Sequence, residues 1–306
     1  MRKTPLLKRR ENNLGLYLMA LPGFLVLFIF CYCPMFGIIL AFKDYNFSDG
    51  ILGSPWVGFD NFVFFFQSGV AWRLIRNTVG LNLLFMVFGQ LMGVTAAIFL
   101  NEIFEKRVAK AYQSILFFPH FISWVIVGYF TFALFNGDKG LLNNFLHVIG
   151  MEPVNWYGEA SVWPAIMTII SVWKGCGYFS IIYLAGIVGI NPEYYEAARI
   201  DGAKKRHEIR YVTLPFLKPL IMVNVFLALG RVFYANFDFF VNVTRSSGQI
   251  METTDVVDTF VVRSLTVMGD FNMSAAVGLF QGVCGLILIL TANMLVNKFD
   301  KESAVF

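Results

Sequence analysis

Two basic side chains, Lys174 and Arg231, fall inside long apolar stretches of this 306-residue chain. An unpaired charge at membrane depth is costly, so each must face a cavity or a partner. Asn224, Arg231 and Asp238 are seven apart, and Tyr234 lies three after the arginine and four before the aspartate. On one continuous helix all four share a face. Around Lys174 runs Trp173-Lys174-Gly175-Cys176-Gly177-Tyr178, whose glycines let the backbone bend or come close to a neighbour. Donors, acceptors and flat aromatic faces of this kind suit a sugar, whose hydroxyls need hydrogen-bond partners and whose ring faces need a plane. The charged positions extend that expectation to an acidic, uronic saccharide. The same residues would equally make a structural polar network, with Arg231 paired to Asp238 or to a second chain, since interhelical polar contacts hold many bundles together.

Other chemistry is sparse. His120, His147 and His207 are far apart in sequence and give no metal-ligand spacing. His120, after Pro119, reads as a hydrogen-bonded bundle residue. Cys31, Cys33, Cys176 and Cys284 all fall in apolar stretches and read as small core residues. Cys31 and Cys33, two apart, point to different helix faces and make poor disulfide partners. Gln90, Gln281 and Asn293 read as helix-packing contacts. There is no G-x-x-x-x-G-K-[ST] phosphate loop. No clustered acid–base or metal constellation suggests an enzyme, so none of these residues is expected to be catalytic.

The elements that carry these residues must be membrane helices. The chain is 57% hydrophobic and 14% charged, with 34 phenylalanines, where a soluble domain has about a quarter charged residues. Its mean hydropathy is +0.64. Spans of about 20 apolar residues cross a bilayer as helix, and six are expected, near 15–42, 75–101, 112–135, 161–190, 216–243 and 275–297. The first has no small-residue cleavage pattern behind it and reads as a retained helix. The alternation of a barrel is absent. Sixteen Lys and Arg residues fall on one side of these spans, among them Arg9, Arg10, Lys106, Lys204 and Lys298; six, namely Lys43, Arg73, Arg76, Lys139, Arg245 and Arg263, fall on the other. The positive-inside rule then puts both termini in the cytoplasm of a multi-pass plasma-membrane protein. The net charge of +4 reflects this bias and gives no reason to expect nucleic acid as a partner. The expected organisation is a cytoplasmic tail, 1–14, and one all-α bundle, 15–306, with outer loops at 43–74, 136–160 and 244–274. The first loop, rich in turn formers and aromatics, lies along the outer interface or caps the bundle. In the third, Asp255 to Phe260 reads as a short helix folded back toward the membrane.

Between the fourth and fifth spans lies a basic segment, 191–215. Asn191-Pro192-Glu193 is a helix start: an amide cap, a proline in the first turn, and an acid near the positive helix end. The helix runs to about Ile200, where Gly202 can take the left-handed conformation that ends it. A second short helix, about 203–212, is expected to break at Leu214-Pro215, which launches the fifth span. Ala197 and Ala198 let a partner approach closely, and Glu196 offers a carboxylate. An ordinary loop helix covering the bundle end against anionic lipid explains the same residues.

The pattern Glu196-Ala197-Ala198, three residues, Gly202, nine residues, Val212, one residue, Leu214-Pro215 resembles the EAA loop of ATP-binding-cassette (ABC) importer permeases, with valine where isoleucine is commoner. Asp201 and Ala203 fit the sugar-importer version. Asn77-Thr78, Pro119 to Trp124, Asp255 to Arg263 and Ala276 to Phe280 resemble segments of its complex-carbohydrate branch, so the likeness covers nearly the whole chain. It implies the type I importer permease fold, with six transmembrane helices and cytoplasmic coupling helices. It also implies that residues 191–215 sit in a cleft of a separate cytoplasmic ATPase dimer, which binds the ATP and magnesium, so that this chain needs no cofactor. A second homologous permease and an extracellular solute-binding lipoprotein that delivers an oligosaccharide complete the implied assembly. Two alternatives stay open: an ion-coupled secondary transporter and an intramembrane glycosyl or lipid transferase.

Overall fold

The computed structural model describes residues 14–299, so the 1–14 tail lies, but for Leu14, outside the described residues. In chain order the helices are α1 (Leu14–Leu27), α2 (Gly50–Gly53), α3 (Asp60–Gln67), α4 (Val70–Glu102), α5 (Lys106–Phe117), α6 (Trp124–Phe135), α7 (Leu141–Val148), α8 (Trp163–Val188), α9 (Pro192–Ile200), α10 (Lys205–Glu208), α11 (Leu214–Leu229), α12 (Phe237–Thr244), α13 (Met251–Thr254), α14 (Val257–Arg263) and α15 (Phe271–Phe299). Among the described residues the only β pairing is an isolated antiparallel bridge between Lys43 and Trp56. Five helical stretches are long and apolar enough to cross a membrane, and α5 with α6 makes a sixth if the bent pair is one span.

The axis of the bundle is α4 packed along α8. Gly177 lies on the other contact of α8: a Cβ there would collide with the Leu116 carbonyl where α5 crosses α8. Gln90 of α4 and Tyr183 of α8 are hydrogen-bonded to each other in the buried interior, as expected of Gln90. Three apolar clusters lie along the bundle. One joins α4, α6, α8 and α12 around Trp163, Met167 and Phe240. A second packs Phe65 of α3 against Leu74, Phe260 and Val277, so the 43–74 loop caps one end of the bundle. The third, around Ala97, Tyr183 and Leu217, holds α4, α8 and α11 together beneath the 191–215 segment.

Four sequence expectations change. The first span is not one α-helix: α1 passes into a π-helical turn, Phe28–Tyr32, and then a 3-10 stretch, Cys33–Phe42. Pro34, which has no backbone N–H to donate, sits at the start of that stretch. The span is almost uncovered by its own chain, so Cys31 and Cys33 are exposed rather than core residues. The third span bends by 97° between Phe121 and Trp124, where Pro119 lacks a donor and Ser123 restarts the helix by capping the Ile126 amide.

The fifth span is also broken. α11 ends at Leu229 with Gly230 as its cap, and α12 begins afresh at Phe237 with the Asn236 side chain accepting from the Phe239 amide. Asn224, Arg231, Tyr234 and Asp238 therefore do not lie on one helix, and the face deduced from their spacing does not exist. Leu214-Pro215, conversely, breaks nothing: α10 runs through a π turn, Ile209–Thr213, straight into α11, giving a continuous stretch Lys205–Leu229. Pro215 occupies the first turn of α11, where a missing donor costs little.

Candidate functional site

The 191–215 segment forms as its residues dictate. The Asn191 side chain accepts from the Glu193 amide at 3.1 Å, and Pro192 opens α9. At the other end Gly202 has φ +79°, with Ala203 N–H bonded to the Ala198 carbonyl at 2.9 Å and Gly202 N–H to the Arg199 carbonyl at 3.0 Å. This pair of bonds is the Schellman stop, and its left-handed residue is best filled by glycine. Glu196, Ala197, Asp201 and Gly202 are exposed, with Ala198 and Ala203 half-buried. Leu214 and Pro215 are exposed beside them on the base of α11. α9 rests on that base through the Tyr195 and Thr213 hydroxyls, 3.0 Å apart, and the Tyr194 and Phe216 rings.

Beneath this surface lies an ionic cluster centred on Glu208, which is 3% exposed. Its carboxylate accepts from Arg199 Nε at 2.8 Å and from Lys205 Nζ at 3.0 Å, and Lys205 also reaches Glu102 at 3.1 Å. The hydrogen bond to Glu208 holds the Arg199 guanidinium above its usual pKa. Sequence reading passed over Glu208 and Glu102; an acid among four basic residues at 204–210 was the available signal.

Of the in-membrane polar residues, Lys174 has its ammonium fully engaged. It donates to the carbonyls of Pro119 at 3.2 Å, His120 at 2.7 Å and Ile122 at 2.6 Å, over the face of Trp124. An ammonium has three donors, and all three close the break in the third span. His120 is stacked between the Phe117 and Tyr178 rings. Trp173 and Tyr178 are each 45% exposed on α8, Trp173 beside Phe130, Leu134 and Ile169 in an apolar groove. Asn224 makes a local bond to the Leu220 carbonyl at 2.9 Å.

Arg231, Tyr234 and Asp238 are exposed around the break in the fifth span. No ion pair among the described residues involves Arg231 or Asp238. Three side chains from other elements hold the break. Asn82 of α4 donates to the Val232 and Tyr234 carbonyls at 2.9 and 3.3 Å. Gln281 of α15 donates to the Phe233 carbonyl at 2.6 Å, and Asp258 of α14 accepts from the Ala235 amide at 2.7 Å. Unwound backbone is tolerated in a membrane protein only where such partners replace the lost ladder. Asn82 and Asp258 were missed, and Gln281 does more than pack.

At the end of α4 opposite Glu102, α14 is the expected short helix and is knit to the start of α4. Asn77 donates to the Glu252 and Asp255 carbonyls, and the Thr78 hydroxyl accepts from the Val257 amide. Asp255 is clasped by Arg263 through two bonds of 3.0 and 2.7 Å. Arg73 stands 3.6 Å from the same carboxylate, and its buried Nε has no hydrogen-bond partner. With Trp72, Arg76 and Gln249 it lines an open concavity of about 600 Å³.

Residues 89–303 match the model of the family described as binding-protein-dependent transport system inner membrane component. The chain is 36% identical to Protein LplB of Bacillus subtilis over 95% of this chain and 91% of that protein. It is 35% identical to the polygalacturonan/rhamnogalacturonan transport system permease protein YteP of the same organism, over 94% and 89%. Among solved structures, a chain of a bacterial ABC transporter involved in the import of the acidic polysaccharide alginate superimposes with a TM-score of 0.86 at 34% identity, covering 94% of this chain and 96% of that one. The bent third span, the broken fifth span and the capped helix between the fourth and fifth thus sit in a known transport architecture, and the chain belongs to the family of inner-membrane components of binding-protein-dependent transport systems.

Proposed function

We propose that this chain is the membrane-spanning permease subunit of an ATP-driven importer for acidic oligosaccharides. Its termini face the cytoplasm, an ATPase subunit docks on the exposed Glu196–Ala198 surface of α9, and a second permease completes the path. Sugar crosses past the break in the fifth span, where Arg231, Tyr234 and Asp238 are exposed at membrane depth. Charges there cannot face lipid, which supports an aqueous path or a partner subunit beside them. Trp173 and Tyr178 add aromatic faces; Lys174, its donors taken, is left out of the path. Relatives named for polygalacturonan and alginate support the acidic substrate class, and a solved alginate transporter in complex with its saccharide-bound periplasmic protein supports delivery from outside.

The observation that carries the acidic reading is Arg73. Its side chain, 37% exposed and only loosely held by Asp255 at 3.6 Å, stands beside Trp72 and Arg76 on an open outer concavity, where terminal guanidinium donors can pair with a uronate carboxylate in a forked geometry. The test is uptake by the complete transporter in proteoliposomes, comparing a uronate oligosaccharide with a neutral one of equal length. Import of the uronate sugar and not the neutral one is expected, with Arg73→Gln reducing the preference. Equal or preferential import of the neutral sugar would reject an acidic substrate.

A further inference from the structure

The docking surface on α9 does not by itself explain how a push from an ATPase reaches the bundle, because α9 ends at the Gly202 turn and is not continuous with the fifth span. The link is the buried carboxylate beneath it. Glu208 opens the continuous helix Lys205–Leu229, which becomes the fifth span. One of its oxygens takes Arg199, in the last turn of α9; the other takes Lys205, which also grips Glu102, the last residue of α4. Three elements thus meet in one run of ion pairs, Arg199–Glu208–Lys205–Glu102: the docking helix, the start of the fifth span and the end of the second. From the second span the connection continues into α8, packed along its length. A carboxylate this buried, held by two cations, has one favourable arrangement, since losing either partner leaves a charge uncompensated.

We propose that Glu208 is a positioning residue for energy transmission: it fastens the docking helix to the second and fifth spans, so that displacement of α9 moves both spans together. Without it α9 would keep its Tyr195–Thr213 bond and its ring contact with Phe216, but would lose its ionic connection to α4. The proposal rests on the reading of 191–215 as the ATPase-docking element, and it assigns to Glu208 no contact with ATP or sugar.

The test uses the complete transporter in proteoliposomes and reads sugar imported per ATP hydrolysed, together with the sugar concentration for half-maximal uptake. Glu208→Gln keeps the shape and removes the charge. The expected result is a transporter that still co-purifies with its ATPase and has an unchanged half-saturating sugar concentration, but imports at least about fivefold less sugar per ATP, the lower end of a typical coupling factor. Should Glu208→Gln fail to insert, Glu102 and Lys205 carry the test, because both are partly exposed. Glu102→Lys and Lys205→Glu should each lower the ratio. The double exchange places the lysine on α4, facing both carboxylates, and should restore it. A packing role would lower protein yield without lowering the ratio and would show no restoration. An unchanged ratio in assembled Glu208→Gln, or no recovery in the double exchange, overturns the proposal. Failure of the docking reading is separable: an Ala198→Trp variant that keeps its ATPase would remove that premise whatever Glu208 does.

Discussion

At the scale of single residues, Lys174 and Arg231 looked alike in the sequence, two cations in apolar surroundings, and the structure separates them. Lys174 points into the carbonyl end of a broken helix, where a cation meets both the dipole and free acceptors. Arg231 has no such partner and is exposed. Sequence could not make this distinction, because the carbonyls that take Lys174 lie 52 to 55 residues before it and are freed only by the bend after Pro119. Lys174→Met should cost about 1.5–3 kcal/mol, the range for hydrogen bonds that involve a charged group. The expected signature is a lower unfolding midpoint for the detergent-purified chain with an unchanged preference for acidic over neutral sugar. A variant of normal stability that loses that preference would return Lys174 to the sugar path.

At the scale of elements, legibility follows the range of the forces. The start of α9 at Asn191-Pro192 and its stop at Gly202 were readable, because caps and left-handed stops are made by residues within five positions of one another. The breaks were not. An apolar run such as 216–243 reads as one helix in any hydropathy window, and the groups that let it unwind come from far away: Asn82 bonds the Val232 carbonyl across 150 residues and Gln281 the Phe233 carbonyl across 48. The seven-residue spacing of Asn224, Arg231 and Asp238 was true of the sequence and irrelevant to the geometry. Asn82→Ala should free two carbonyls, at about 1–2 kcal/mol for the net bonds lost, and loosen 230–236. Faster amide hydrogen exchange confined to that segment, with reduced uptake, is the expected result. Unchanged exchange there would mean that Gln281 and Asp258 suffice.

At the scale of the whole molecule, the number of spans was legible because lipid imposes a length and a composition on every crossing segment, while the uncovered first span shows how far one chain is from a finished bundle. The two surfaces that matter lie at different depths: α9 at one end of the bundle, and the broken fifth span with its exposed Arg231 within it. If one serves the ATPase and the other the sugar, single substitutions should divide the activity cleanly. Ala198→Trp puts a large side chain where a partner must come close; it should cost ATPase association while leaving sugar binding to the delivered complex intact. Arg231→Leu should do the reverse, keeping the ATPase bound while uptake falls. Substitutions with no shared partner add nearly independently in free energy, so in the double variant each binding defect should match that of its own single substitution. A double variant whose sugar affinity drops well beyond that of Arg231→Leu alone would show that the two surfaces are coupled in the resting state, before any ATP is bound. The fifth span, running unbroken from Lys205 to Leu229 between them, would then be the element that couples them.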